Sequence, residues 1–571
     1  MEILETCCGP VAERQPLWPA GKMPRRQPGQ FAAMTDESRA PGFDPATRPE
    51  PYVDWFAPPE GFSPCGACAV LVSGGAYNEV CDVEPVTQWR ERFEALGCVC
   101  ASVVYRVPRP RGAPFWQSGR TDLERAMRLV RSQAAGRGFD PERIFVVAQS
   151  AGAHAALMLA TGSTMRAYEP VDAIDETPSR PDAVVAFAPA YAMSDGQGCR
   201  NTRGGDGPEV VLSPEFRFDP KTCPVCMMHG GADPYSPLGS TNVYRRLRAC
   251  GVPAELHLYA DKGHGGFGLE RGVEFLRQIG LLGPVGPETP LMERYAADVP
   301  GTDGESAQPL WPEGAMPEPH EGQCEPWLRW YVPKKLSTRA IQVIWAGGAY
   351  NGNATDDFEV APARRHLNSL GMAVVAVHYR TPRPPAPEAK HVSAWQDARR
   401  AIRLVRAGAA ARGLDPDRIG IMGSSAGGHL ALMCATSARH EAYAAVDGVD
   451  SLSAAVQWAV CIYPAYALWP PAEGSDNVPD GGNGRDVRIV PEFAFDLDTP
   501  PMVFVHGDSD GWPATASVAV WEQLRRMGIQ GDLHTLAKRS HCFQRTASPG
   551  TGSYTYLERI SEFLREKGFL P

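Results

Sequence analysis

No run in the 571-residue chain approaches the ~18–20 consecutive apolar side chains that a membrane-spanning helix requires. Positive charge is also in deficit. There are 56 Lys and Arg against 66 Asp and Glu, a formal net charge of −10, so a nucleic-acid backbone or an anionic membrane would be repelled rather than bound. Cysteine pairing is a third absence. The 15 cysteines are odd in number, scattered and mostly unmatched between the halves of the chain, which suits reduced thiols better than a disulfide framework. The opening residues, MEILETCCGPVAERQPLWP, do not follow a basic start with an apolar run. They are therefore not expected to be a secretory signal, and the expected compartment is the cytoplasm. What remains is an ordinary globular composition, 43% hydrophobic and 21% charged, in a chain long enough for about two to four domains.

The chain repeats itself, and the repeat organises everything else. QPLWPAGKMP at 15–24 returns as QPLWPEGAMP at 308–317, and GGAYN begins at Gly74 and again at Gly347. FDPERI at 139–144 is matched by LDPDRI at 414–419, and SPEFRFD at 213–219 by VPEFAFD at 490–496. The offset is 273 at GGAYN and 277 at the PEF motif but 293 at the tryptophan, so the first copy carries about twenty extra residues between its WP motif and GGAYN. The expected division is a first domain at 1–283, a Pro- and Gly-rich linker at 284–307 and a second domain at 308–571.

Within each copy, short apolar β-branched runs alternate with helical patterns. Strands are predicted at 69–72, 98–104, 144–147, 183–187 and 225–229, and again at 341–345, 373–378, 419–422, 459–463 and 502–506. Apolar residues spaced three and four apart predict a helix over 121–135, and another over 429–435. This alternation means an α/β fold with a mostly parallel sheet and helices on both faces, in which chemistry gathers at the carboxyl ends of the strands.

Gly423-Ser424-Ser425-Ala426-Gly427 stands directly after one of these strands and before a helix, the setting of a G-x-S-x-G nucleophile elbow. The first copy reads Ala148-Gln149-Ser150-Ala151-Gly152, with Ala still small enough for the turn. A serine hydroxyl is a poor nucleophile and needs a base, itself oriented by a carboxylate. His229-Gly-Gly-Ala-Asp233 and His506-Gly-Asp-Ser-Asp510 follow the later strands. Register matches Asp510 to Asp233, leaving Asp508 as a turn residue. His264 and His541, again 277 residues apart, are the candidate bases. The candidate catalytic sets are therefore Ser150, Asp233, His264 and Ser425, Asp510, His541. Acyl transfer also needs donors for the developing oxyanion. The backbone N–H groups of Ala151 and Ala426 supply one in each copy, and those of Gly75, Ala76 and Gly348, Ala349 in the GGAY turns supply the others.

This constellation resembles the α/β-hydrolase superfamily, and within it the carbohydrate-esterase branch of acetyl xylan esterases and bifunctional acetyl/feruloyl esterases. The residues that carry the resemblance are the GGAY loop, Tyr105-Arg106 and Tyr379-Arg380, the DPERI and DPDRI runs, Ser-Ala-Gly-Gly-His from Ser425, the PEF segment, and the HGxxD and GH endings. The family's usual histidine before the oxyanion glycines is replaced by Ser73 and Ala346. The resemblance implies two tandem α/β-hydrolase domains that cleave acetyl or similar short acyl esters on small-molecule or oligosaccharide substrates, without metal or organic cofactor. A peptidase or lipase on the same scaffold is the alternative, as is one active domain beside one binding or scaffolding domain.

Other features are assigned lesser roles. Cys65-x-x-Cys68 and Cys223-x-x-Cys226 invite a zinc reading, but the fold does not set their strands side by side, so they are expected to be buried apolar thiols. His154 and His429, four residues after each nucleophile, are read as packing or hydrogen-bonding residues. Asp122 and Asp397 are read as structural anchors. Tyr77, Tyr191, Tyr350 and Tyr466 are the candidates to line the substrate pocket.

Overall fold

A computed structural model describes residues 13–24, 31–32, 50–80, 83–162, 165–194, 211–283, 285–469 and 488–571. The chain divides into two compact units, Met1–Pro284 and Val285–Pro571.

In the first unit the strands are β1 (Glu13–Pro16), β2 (Tyr52–Phe56), β3 (Cys68–Val72), β4 (Val99–Val104), β5 (Ile144–Gln149), β6 (Ala183–Phe187), β7 (Val225–Gly230) and β8 (Ala254–Tyr259). They pair in the order β1-β2-β4-β3-β5-β6-β7-β8. The β1–β2 and β2–β4 pairs are antiparallel and every other pair is parallel. Helices α1 (Val83–Ala95), α2 (Gln117–Ser132), α3 (Ser150–Thr161) and α4 (Leu238–Ala249) lie in the crossovers, and α5 (Glu270–Gln278) follows the last strand. Strands β3, β6 and β7 are buried at every residue, so they read as continuous apolar runs rather than alternating ones.

The second unit repeats the plan with β9 (Gln308–Pro309), β10 (Trp327–Tyr331), β11 (Ile341–Trp345), β12 (Ala373–His378), β13 (Ile419–Ser424), β14 (Trp458–Ile462), β15 (Met502–Gly507) and β16 (Gly531–Leu536). Their order is β9-β10-β12-β11-β13-β14-β15-β16, antiparallel only at the β9–β10 and β10–β12 pairs. Its helices are α6 (Ala361–Ser369), α7 (Val392–Ala409), α8 (Ala426–Thr436), α9 (Thr515–Arg526) and α10 (Tyr556–Glu566). The predicted strands and helices are all present. The antiparallel strands β2 and β10, and the final strands β8 and β16, had not been read from the sequence.

The segment read as a linker behaves otherwise. Pro284 lies outside the described residues, but from Val285 the chain belongs to the second unit. Leu291, in the turn Leu291–Arg294, is fully buried in that unit's core beside Tyr331 and Tyr556. Glu288 accepts from Arg539 at 2.8 Å, and Asp298 accepts from Arg365 at 2.9 Å. Its Pro and Gly content hides a strap held by Leu291, by Tyr295 packed against the same core, and by several ion pairs. The stretch assigned the extra residues of the first copy runs through 25–30 and 33–49, outside the described residues.

The repeated WP motif has a structural explanation. Trp18 Nε1 donates to Asp122 Oδ1 at 2.9 Å, and Trp311 Nε1 donates to Asp397 Oδ1 at 2.7 Å. Each aspartate also accepts from the backbone N–H and the guanidinium of the arginine after the conserved tyrosine, Arg106 or Arg380. Both ion pairs are fully buried, so every carboxylate lone pair must find such a donor. Asp122 and Asp397 are anchors, tying the start of each unit to its long helix.

The two CxxC motifs sit on β3 and β7, which are not neighbours. One thiol differs from the buried apolar role expected. Cys65 is partly exposed and its Sγ lies 3.3 Å from Cys98 Sγ; that hydrogen bond lowers its pKa to about 6. Among the described residues no helix is long and apolar enough to cross a membrane.

Candidate active site

Strands β5 and β13 end at the centre of each sheet, and the next turn reverses the chain into α3 or α8. Ser150 and Ser425 take φ values of 54° and 56° there. Such a conformation costs a residue with a Cβ free energy and persists only where its surroundings over-determine it. The surroundings are tight. A Cβ on Gly152 would stand 2.4 Å from Ser73 O, and one on Gly427 would stand 2.4 Å from Ala346 O. Gly423 is crowded too: a Cβ there would stand 2.1 Å from Gly427 O and 2.6 Å from Nε1 of Trp345, its cross-strand partner, whose indole donates to Gly427 O at 2.8 Å. In the first unit the corresponding pair is Val72 and Ala148, a smaller neighbour beside the larger elbow residue.

The sequence-derived sets come together in both units. His264 Nε2 lies 2.8 Å from Ser150 Oγ, and His264 Nδ1 lies 2.8 Å from Asp233 Oδ2. In the second unit His541 Nε2 is 2.8 Å from Ser425 Oγ, and His541 Nδ1 is 2.8 Å from Asp510 Oδ2. An ionised carboxylate can only accept, so Nδ1 carries the ring proton and Nε2 is left to accept from the serine hydroxyl. Asp510, not Asp508, meets the histidine. Asp508 is buried and accepts from Ser509 Oγ at 2.7 Å.

Each aspartate has a second imidazole that sequence reasoning did not assign. His229 Nε2 is 3.1 Å from Asp233 Oδ2, while its Nδ1 meets Ser240 Oγ at 2.8 Å. His506 and Ser517 repeat the arrangement beside Asp510. Burial alone would raise the carboxylates. Hydrogen bonds from the two histidines, joined by the N–H of Tyr235 or Trp512, outweigh it and hold both pKa values below the usual carboxylate range. The i,i+4 spacing of His and Asp in both HGxxD runs was the available signal.

The glycine loops lie against the elbows. A Cβ on Gly74 would stand 2.8 Å from Ser150 Cβ, and one on Gly347 would stand 2.7 Å from Ser425 Cβ. Gly75, Ala76 and Tyr77, and likewise Gly348, Ala349 and Tyr350, all have positive φ. Such a run of left-handed residues can turn successive N–H groups toward one point, as an oxyanion site requires. Tyr105 and Tyr379 secure the loops from behind. Tyr379 OH donates to both Ala346 O and Gly347 O at 2.9 Å, and Tyr105 does the same to Ser73 O and Gly74 O at 3.2 Å. The second loop has one more anchor, as Gly347 N–H donates to Glu359 Oε2 at 2.6 Å. Burial raises the Glu359 pKa. No repeated motif marks Glu359, and it was not found from sequence.

The pocket tyrosines divide. Tyr466 borders a cavity of about 410 Å³ that also holds Ser425, His541, Trp512, Glu359 and Arg545. Tyr191 is its counterpart by position and packs on Tyr235, which in turn lies against the His264 ring. Tyr77 and Tyr350 depart from the expectation. Their positive φ turns the side chain back beneath the loop, where both are buried and meet His154 Nδ1 at 2.9 Å and His429 Nδ1 at 2.7 Å. They support the loop instead of lining the pocket, and His154 and His429 have the hydrogen-bonding role expected of them.

The BD-FAE family model matches residues 53–246 and 328–476, one stretch in each unit. The probable carboxylic ester hydrolase LipM of Mycobacterium tuberculosis is 27% identical over 256 residues, which cover 42% of this chain and 57% of LipM. An acetylxylan esterase of Xylanibacter ruminicola is 32% identical over 220 residues, 36% of this chain and 42% of that protein. The chain thus spans about half the length of the curated relatives it matches. Among solved structures, an acetyl ester-xyloside bifunctional hydrolase from Caldicellulosiruptor lactoaceticus aligns at 24% identity and a TM-score of 0.38, covering 47% of this chain and 97% of that one.

Proposed function

Since the chain belongs to the BD-FAE family, we propose that it is a serine ester hydrolase that removes acetyl or similar short acyl groups from carbohydrate, with a Ser-Asp-His triad in each unit. The observation that carries this reading is the unbroken Ser–His–Asp hydrogen-bond chain, built twice at equal distances. As Ser150 or Ser425 attacks the ester carbonyl, His264 or His541 takes the hydroxyl proton. Asp233 or Asp510 holds the imidazole in the tautomer that can accept it and stabilises the imidazolium that forms. The N–H groups of Ala151 with Gly75 and Ala76, or of Ala426 with Gly348 and Ala349, receive the tetrahedral oxyanion. The histidine then gives its proton to the departing alcohol oxygen. Water, activated by the same histidine, releases the acid and restores the serine.

The carbohydrate part of the proposal is supported by the acetylxylan esterase among the relatives and by the aromatic walls of the second cavity. Trp512 and Tyr466, their rings 4.6 Å apart edge to face, border the cavity beside Ser425, and aromatic side chains are common partners of sugar rings. Turnover of a chromogenic acetate ester by the wild type, Ser150→Ala, Ser425→Ala and the double variant tests the assignment. Each single variant should keep part of the activity and the double variant none. Wild-type turnover by the double variant would sink the triads. Acetylated xylo-oligosaccharides, set against peptides and long-chain esters, then test the substrate class.

A further inference from the structure

We propose that His391, His429 and Glu492 of the second unit form a binding site for one divalent transition-metal ion of the zinc class. One nitrogen of each histidine and one oxygen of the glutamate lie within 4.8 Å of one another. Two imidazoles and a carboxylate are a ligand set that suits zinc, with a fourth position left for water.

Each ligand is prepared differently. His429 is 1% exposed, and its Nε2 makes no hydrogen bond of good geometry among the described residues; Glu492 Oε1 stands 3.4 Å away. Its other nitrogen faces Tyr350 OH at 2.7 Å. With a metal on Nε2, Nδ1–H would donate to that hydroxyl, the outer contact that fixes tautomer and ring orientation at metal-binding histidines. His391 precedes the first turn of α7, and its ring centroid is 5.6 Å from that of His429. His391 and Glu492 remain partly exposed and leave an entry path. Lys390 sets an opposing charge beside them, its ammonium 4.1 Å from the centre of the Tyr466 ring.

The first unit provides an internal reference. It keeps the pair, with His154 Nε2 3.3 Å from Glu215 Oε1, but Trp116 precedes its long helix where His391 stands in the second. Two ligands are conserved between the units and the third is special to one, so the site should belong to the second unit alone.

Zinc binding by the full-length protein, measured by equilibrium dialysis with metal analysis, tests this directly. The wild type is expected to hold one zinc per chain, in the micromolar range or tighter, that both His391→Trp and Glu492→Gln lose. Tryptophan is tolerated at that position of the first unit, so the exchange should preserve the fold, as circular dichroism would verify. Cobalt in place of zinc should give visible bands of nitrogen and oxygen ligation without thiolate charge transfer. Zinc retained by both variants, cobalt bound through thiolate, or no zinc bound by the wild type would each overturn the proposal.

Discussion

Asp510 shows how a single carboxylate is tuned by its neighbours. Burial would raise its pKa, but His506 and His541 outweigh that and hold the folded value below that of a free aspartate, near 4. A depressed carboxylate contributes stability above its unfolded pKa and loses it as pH falls through that value toward the folded one. Asp510→Asn should therefore flatten the decline of the urea midpoint below about pH 4. In a Ser150→Ala background it should also lower kcat on an acetate ester by about 10⁴-fold, because the imidazole loses its tautomer. Glu359 has the opposite sign. Its pKa is raised by burial, so its contribution falls as pH rises above the unfolded value. Glu359→Gln keeps an acceptor for Gly347 N–H and should leave kcat nearly unchanged. In the same Ser150→Ala background, Glu359→Ala releases the loop and should lower kcat by up to about 10²-fold, a cost typical of a displaced catalytic group. Equal kcat for the two variants would remove the glutamate from any positioning role.

At the scale of the element, the buried knot on the long helix is the most exposed to disruption. Asp397→Ala leaves the Trp311 indole without its acceptor and the buried Arg380 guanidinium without its counter-charge, and should cost about 3–5 kcal/mol by urea denaturation. An unchanged midpoint would mean that the ion pair is dispensable. The elements themselves were largely legible. Buried parallel strands are short apolar runs with turn residues on either side, and the repeat confirmed each against its copy. The antiparallel strands β2 and β10 escaped because YVDWF and WLRWY carry charge and large aromatics in place of a plain β-branched run. The strap at 285–307 escaped because its two apolar contacts, Leu291 and Tyr295, are too few to produce a periodicity. Within the site, serine, aspartate and histidine could be read from order and register. The roles of Glu359 and of the buried Tyr77 and Tyr350 could not, since they depend on where a positive φ sends a side chain.

For the molecule as a whole, the decisive property is that one arrangement occurs twice with local differences. Ala148 and Val72 stand for Gly423 and Trp345, and Trp116 stands for His391. None of these exchanges touches the Ser–His–Asp hydrogen bonds, so both serines should be activated. Intact-mass spectrometry after reaction with an organophosphate that traps activated serines measures this most directly. Two adducts are expected on the wild type, one each on Ser150→Ala and Ser425→Ala, and none on the double variant. A single adduct on the wild type, or a label that survives in the double variant, would contradict the assignment of two working triads.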